Sequence, residues 1–230
     1  MKLLAIDTSS DACSVALLDG DDVSEQHRIE PRAHTRILLP MIRELMAAGA
    51  LKPKDLDAIV LGNGPGSFIG MRISASVAQG ICFAADVPLV PVSSLAAVAA
   101  EIIEKDQAAK VLVAQDARMD EVYFAAFRRD RRGLPEPQGG EEIIAVSETR
   151  EWRDSDWVAG GAGWKRYPQL AASFGQAIAG FSGITLPSAR YLLGMGQRAV
   201  LDGLAIDAAR LQPAYLRTKV AEPLPDSQRP

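Results

Sequence analysis

The sequence predicts an α/β fold in two related halves, each built on a mixed sheet. Three observations carry that prediction. Both halves open with a pair of strand-like runs whose connecting turn follows an aspartate, Asp7 in the first and Asp116 in the second. The first half contains a β-α-β unit, with apolar runs at 58–61 and 88–92 around a long helical segment. The polar run Glu104-Lys105-Asp106-Gln107 then separates the halves. The halves share pattern rather than residues, so the duplication is a weak one.

Taken in order, 2–7 and 12–18 read as buried strands joined by Thr8-Ser9-Ser10-Asp11. The turn Asp19-Gly20-Asp21-Asp22 leads to a more polar strand at 23–29, which completes an antiparallel meander. A helix is expected over 35–48, because Leu38, Met41, Ile42, Leu45 and Met46 recur at helical spacing and Gly49 ends the run. With Thr35 as the cap, Pro40 falls just beyond the first turn, removes one backbone bond and predicts a bend. Strand 58–61, a helix from Ser67 to about Ala85, strand 88–92 and a helix over 93–105 follow. The second half reads as strands at 110–116 and 121–128, a polar connection over 128–140, strands at 142–146 and 156–159, and an amphipathic helix over 188–201 capped by Ser188. This divides the chain into an N-terminal lobe over 1–105 and a C-terminal lobe over 106–187. The helix near 188–202 is expected to pack back on the first lobe, and the Pro-rich tail over 221–230 to be mobile.

With 230 residues, 48% of them apolar, the chain can bury a substantial core. A net charge of −4 argues against a protein built mainly to coat nucleic acid, though not against a local basic patch. The two cysteines, Cys13 and Cys82, suggest no disulfide framework. Met1-Lys2 leads straight into a strand pattern, so a signal peptide is not expected, and no apolar run is read as long enough to span a bilayer. A cytoplasmic, reduced protein is expected.

The most informative stretch is Asn63-Gly64-Pro65-Gly66-Ser67-Phe68-Ile69-Gly70-Met71-Arg72. Strand, glycine turn and helix start together suit an anion, because free N–H groups face such a turn. No Lys follows the second Gly, so it is not a P-loop, and the spacing is not that of the dinucleotide fingerprint. The plainer reading is a tight strand-to-helix turn. Only His27 and His34 are available as imidazoles, and no HxxxH, HxxH or CxxC spacing exists, so a zinc site is not expected. His34 reads as a surface or capping residue. There is no G-x-S-x-G elbow, and a Ser67–His pair cannot be read from sequence.

A strand-turn-strand with Asp7 at the end of the first strand resembles the opening of actin-like ATPases and sugar kinases. In those folds a second hairpin opens the second domain and a glycine-rich turn contacts adenosine; Asp7, Asp116 and Gly160-Gly161-Ala162-Gly163 fall in that order here. Phosphate hairpins need small residues, and this chain has Thr8-Ser9-Ser10 in one and Ala117-Arg118-Met119-Asp120 in the other. Asp7, Thr8, Ser9 and Asp116 therefore read as a degenerate nucleotide pocket. The run Arg128-Arg129-Asp130-Arg131-Arg132 reads as a solvated hairpin tip, with an RNA-backbone contact as the alternative.

Small and large apolar residues run nearly all round the helix after Ser67, so one sheet face does not obviously bury it. With the Leu38–Met41–Leu45 face it suggests a seam for a partner chain; the bland alternative is that both helices cover their own sheet. The expected interface set is Leu38, Met41, Leu45, Ser67, Phe68, Met71, Arg72, Ile73 and Val77.

Several motifs together resemble the TsaB (YeaZ) family of bacterial tRNA threonylcarbamoyladenosine biosynthesis. They are Leu4-Ala5-Ile6-Asp7-Thr8-Ser9 with Cys13-Ser14-Val15-Ala16-Leu17, Arg32-Ala33-His34 with Leu38-Leu39-Pro40, Gly64 to Arg72, Val92-Ser93-Ser94-Leu95, Asp116 to Tyr123, and Pro213-Ala214-Tyr215-Leu216-Arg217. Ile69 and Met71 depart from the family's usual Thr and Leu without disturbing the glycine turn. The resemblance implies a two-lobed actin-like (ASKHA) fold with duplicated mixed-sheet lobes. It implies a non-catalytic subunit that supports the enzyme TsaD, with the ATPase TsaE, in transferring threonylcarbamoyl to the adenosine beside the anticodon of tRNAs reading A-starting codons. Contact with tRNA would come through the complex, and a homodimer is expected when TsaD is absent. No cofactor is implied for this chain alone; ATP and a metal ion are implied for the partners. Where TsaD carries its HxxxH pair, this chain has Ser94 and Val98. The alternatives are an independent actin-like ATPase and a metal-free peptidase-like hydrolase.

Overall fold

The computed structural model describes residues 1–148, 152 and 154–217. The expected mobile tail over 221–230 lies outside them. The first sheet contains β1 (Lys2–Asp7), β2 (Ala12–Asp19), β3 (Asp22–Ile29), β4 (Ala58–Gly62) and β5 (Leu89–Val92) in the order β3-β2-β1-β4-β5. The meander β1–β3 is antiparallel, while β4 joins β1 and β5 joins β4 in parallel. β1 and β4 are buried on both faces, which is why both read as continuous apolar runs.

Helices α1 (His34–Ala48) and α2 (Phe68–Ala85) cover one face of this sheet. Their buried residues meet Leu4, Ile6, Cys13, Val15, Leu17, Ile59 and Leu61 in one core. The other face meets α3 (Ser94–Lys105), a 3-10 turn at Ala189–Leu192 and α5 (Leu193–Leu201). Gly196 of α5 sits directly on Val60, where a Cβ would fall 2.3 Å from Val60 Cγ2. The last helix therefore lies on the first sheet, and its expected single run over 188–201 is a 3-10 turn followed by an α-helix.

The second sheet contains β6 (Lys110–Arg118), β7 (Glu121–Arg129), β8 (Pro135–Pro137), β10 (Trp157–Gly160) and β11 (Ile178–Phe181) in the order β11-β10-β6-β7-β8, with β9 (Glu142–Ala145) also pairing β7. The inner face packs Val111, Val113, Ala125 and Phe127 on Leu95, Val98, Ala99 and Ile102 of α3, so α3 is shared between the two sheets. The outer face is closed by Trp157, Trp164, Phe174 and Leu170, carried partly by the short α4 (Ala162–Arg166) and the 3-10 segment Pro168–Ala177. This is the two-lobed α/β architecture expected from the sequence, with a mixed sheet in each lobe. Strands β8 and β11, helix α4 and the 3-10 segment were not legible, because they are short and lack a full period of either pattern.

Four of the nine expected interface residues are corrected here. Leu38, Met41, Leu45 and Met71 are 1%, 0%, 6% and 3% exposed, inside their own lobe. For α1 the bland alternative holds: its apolar face covers its own sheet, where each such side chain contributes about 1.5–3 kcal/mol. Phe68, Ile73 and Val77 are partly buried, while Ser67 and Arg72 are exposed. His34 is also corrected: it is buried, and its Nε2 donates to the Ser10 carbonyl at 2.8 Å. α1 begins at His34 after Ala33 with no side-chain cap, so Thr35 is not the cap, and Pro40 lies inside the helix. A last correction concerns α2. Its 18 residues are long and apolar enough by length and composition to cross a membrane. Gly70, Ser74, Ala75, Ala78 and Cys82 nevertheless pack inward on the sheet.

Candidate functional site: a cleft closed from within

A cavity of about 640 Å³ lies between the lobes, walled by both aspartate hairpins, the glycine turn, the start of α2 and the chain over 214–217. Each wall follows from local chemistry.

Asp7, at the end of β1, has no exposed surface. Its Oδ1 accepts from the Ser9 N–H and the Ser9 hydroxyl, both at 2.8 Å. Its Oδ2 accepts from the Ser94 hydroxyl at 2.6 Å. Burial raises the Asp7 carboxyl above the usual range, and the Ser94 and Ser9 hydrogen bonds pull the other way. Gly62 is adjacent because any Cβ there would lie 1.9 Å from Asp7 Oδ2. Ser94 also accepts the Gly64 N–H at 3.1 Å, and the Gly64 carbonyl accepts the Ser94 N–H at 2.7 Å. Asp7 thus joins β1, the glycine turn and the start of α3.

The glycine turn receives its own hairpin. Ser67 N–H donates to the Ser9 carbonyl at 2.6 Å, and the Thr8 hydroxyl donates to the Gly70 carbonyl at 2.6 Å. A Cβ on Gly66 would sit 2.2 Å from the Ser9 carbonyl oxygen, and one on Gly70 would sit 1.9 Å from that of Thr8. These glycines permit a backbone-to-backbone approach, and an amide that an anion would need is already donated internally. Ser67 caps α2 by accepting the Gly70 N–H at 3.2 Å.

In the second hairpin, Asp116 Oδ1 accepts the Arg118 N–H at 2.8 Å and the Tyr167 hydroxyl at 3.1 Å. Arg118, Met119 and Asp120 all lie at positive φ, 65°, 56° and 54°, a left-handed run without glycine. Gly161, at φ 104°, packs on β6, where a Cβ would fall 2.3 Å from the Ala114 carbonyl oxygen.

The cleft brings Ser9, Asp116, Ser67, Phe68 and Met71 together, whereas Leu38, Met41 and Leu45 lie elsewhere and Thr8 is buried behind it. No histidine lines it: His34 is committed to Ser10, and His27 lines a separate groove. A Ser67–His pair is therefore not formed. Ser94 serves Asp7, and Val98 is fully buried. Arg128 pairs with Asp154 and lies 5.4 Å from the Trp157 ring, while Asp130 Oδ1 accepts the N–H of Arg132 and Leu134 at 2.8 Å each. The arginine run is a built hairpin tip, with Arg129, Arg131 and Arg132 facing solvent. What sequence reasoning missed is the returning chain over 212–217, whose cleft contacts join residues about 100 or more positions apart.

The geometry defines a class: a two-lobed α/β protein whose first hairpin and glycine turn satisfy one another. A family model described as "TsaD: tRNA N6-adenosine threonylcarbamoyltransferase" matches residues 26–216. The "tRNA threonylcarbamoyladenosine biosynthesis protein TsaB" of Escherichia coli strain K12 is 35% identical over 96% of this chain and 96% of its own length. The protein of the same name from Haemophilus influenzae is 38% identical over 96% of this chain and 95% of its own. The solved structure "YeaZ from Pseudomonas aeruginosa" matches with a TM-score of 0.86 at 35% identity, over 94% of this chain and 99% of that one. The chain belongs to the TsaB family, within the wider group that the TsaD model describes.

Proposed function

We propose that the chain works in tRNA threonylcarbamoyladenosine biosynthesis as a non-catalytic scaffold that binds and supports TsaD. The observation that carries this reading is a largely exposed stripe on α2, in which only Ile73 is partly buried. Ile69, Ile73, Ser76, Gly80 and Phe83 follow one another at helical spacing, and Ile69 and Phe83 are 71% and 92% exposed. Apolar exposure at this spacing, with a small residue at its centre, suits a second helix. Ser67, Phe68, Arg72, Ile73 and Val77 are the expected interface residues that stay at or near the surface.

The ATPase and peptidase-like alternatives need an accessible acid or an activated nucleophile. Asp7 is sealed behind its own hydrogen bonds, and Ser67 has no imidazole beside it. On this reading ATP and a metal ion belong to TsaE and TsaD, tRNA is reached through the complex, and the setting is the cytoplasm. Without TsaD, the same stripe is expected to pair two copies of the chain.

Light scattering of the chain mixed with its cognate TsaD gives the complex mass. A transfer assay with TsaE, tRNA and threonylcarbamoyl adenylate is run with and without the chain. A defined heteromer and chain-dependent transfer support the scaffold. Absence of a complex, or steady ATP turnover by the chain alone, overturns it.

A further inference from the structure

We propose that residues 212–217 form an intramolecular clasp that sets the angle between the lobes, with Arg217 as its hook. The segment begins on the first lobe. Asn63 Nδ2 donates to the Gln212 carbonyl at 3.0 Å, and the Ala214 N–H donates to the Asn63 carbonyl at 3.2 Å. Arg72 Nε donates to the Tyr215 hydroxyl at 3.1 Å, and the Tyr215 ring lies 5.0 Å from that of Phe68. Two residues later the chain has crossed the cleft. There Arg217 Nη2 donates to the Ala117 carbonyl at 3.0 Å and forms an ion pair with Glu121. Its Nη1 reaches Met119 Sδ at 3.2 Å.

The hook grips the left-handed run Arg118-Met119-Asp120, from the Ala117 carbonyl on one side to Glu121 on the other. Non-glycine residues leave that conformation readily unless something outside the turn holds it. A planar guanidinium with several fixed donors suits this task, and a lysine ammonium does not. The clasp joins the glycine turn and first turn of α2 to the second hairpin, and its Tyr215 and Leu216 occupy cleft wall that a ligand would otherwise meet. This inference does not depend on the scaffold reading, because every contact is internal to the chain.

The test uses spin labels on Asp21→Cys and Arg131→Cys, exposed turns of the first and second lobes; the native Cys13 and Cys82 are buried. Electron–electron distance measurements are made on the full chain, on Arg217→Ala and on Arg217→Lys. The wild-type background is expected to give one narrow distribution, and Arg217→Ala a broader or longer one. Amide exchange at residues 117–121 is expected to rise about tenfold in Arg217→Ala, while β1 and β6 keep their protection. Arg217→Lys retains the charge and the fold and is expected to loosen the same contacts. Unchanged distances and exchange in both variants, or in Arg217→Lys if Arg217→Ala does not fold, overturn the clasp.

Discussion

Ser94 donates its hydroxyl proton to Asp7 across 2.6 Å, although the two residues are 87 positions apart. The same oxygen accepts the Gly64 N–H, so one hydroxyl serves β1, the glycine turn and α3. Ser94→Ala strips a partner from a buried carboxylate and from a buried amide. Each such loss costs about 1–3 kcal/mol, so a destabilisation of about 2–6 kcal/mol is expected in urea unfolding. A loss under about 0.5 kcal/mol in that measurement shows the pair to be incidental.

Asp7 also makes a pH signature. Its folded pKa is raised by burial, so the folded state holds its proton at pH values where the unfolded chain has released it. The resulting stability is full below the unfolded aspartate value and is lost as pH rises through the folded one. Asp7→Asn has no such loss, so its deficit relative to wild type should shrink as pH rises across that window. Unfolding free energies of the two proteins at matched pH provide the check; a deficit that widens with pH contradicts the assignment.

The glycines separate into two kinds. A Cβ on Gly70 would overlap the Thr8 carbonyl, a backbone atom that cannot swing aside, whereas nothing lies within 4 Å of one on Gly80. Gly70→Ala should therefore cost about 1–3 kcal/mol or more as an overpacked contact. Gly80→Ala, in the middle of α2, should stabilise by about 0.5–1 kcal/mol through helix propensity. Thermal melts of both variants distinguish the two environments by the sign of the shift.

The proposed partner surface makes a paired prediction. Ile69→Asp and Phe83→Asp alter exposed side chains and should leave stability within about 0.5 kcal/mol of wild type. They should weaken TsaD binding by about 2 kcal/mol or more if either side chain anchors the interface. Met41→Asp buries a carboxylate in the first core and should unfold the protein instead. Titration calorimetry with TsaD, read beside circular dichroism, separates these effects.

The cysteines should be silent. Burial pushes the Cys13 thiol to about 12 and Cys82 to about 11, with neighbouring acidic charge adding to each. At pH 8 a thiol reagent should label neither in the native protein and both after denaturation. Rapid native labelling of either would show that its lobe opens.

The strands β1, β2, β4 and β6 and helices α1, α2 and α3 were legible because each carries a full period of its pattern and a turn or cap at its end. The site was legible only as a set of suspects. Asp7 and the glycine turn stood out, but whether the turn held an anion or its own hairpin depended on where the Ser9 carbonyl pointed. Met41 and Ile73 carry the same apolar character at the same spacing, yet one is sealed in the core and the other lies at its edge.

By itself, then, the sequence determined the α/β class, the paired hairpins, the order of the main elements and the scarcity of imidazoles, all of which follow from local periodicity and composition. Only the tertiary structure decided which apolar face meets the sheet, that Asp7 serves as an internal tie, and that 212–217 returns to bridge the lobes. Those outcomes rest on contacts between residues 87 to 149 positions apart. Such contacts are set by packing and by the need to satisfy buried polar groups, and neither leaves a periodic mark along the chain.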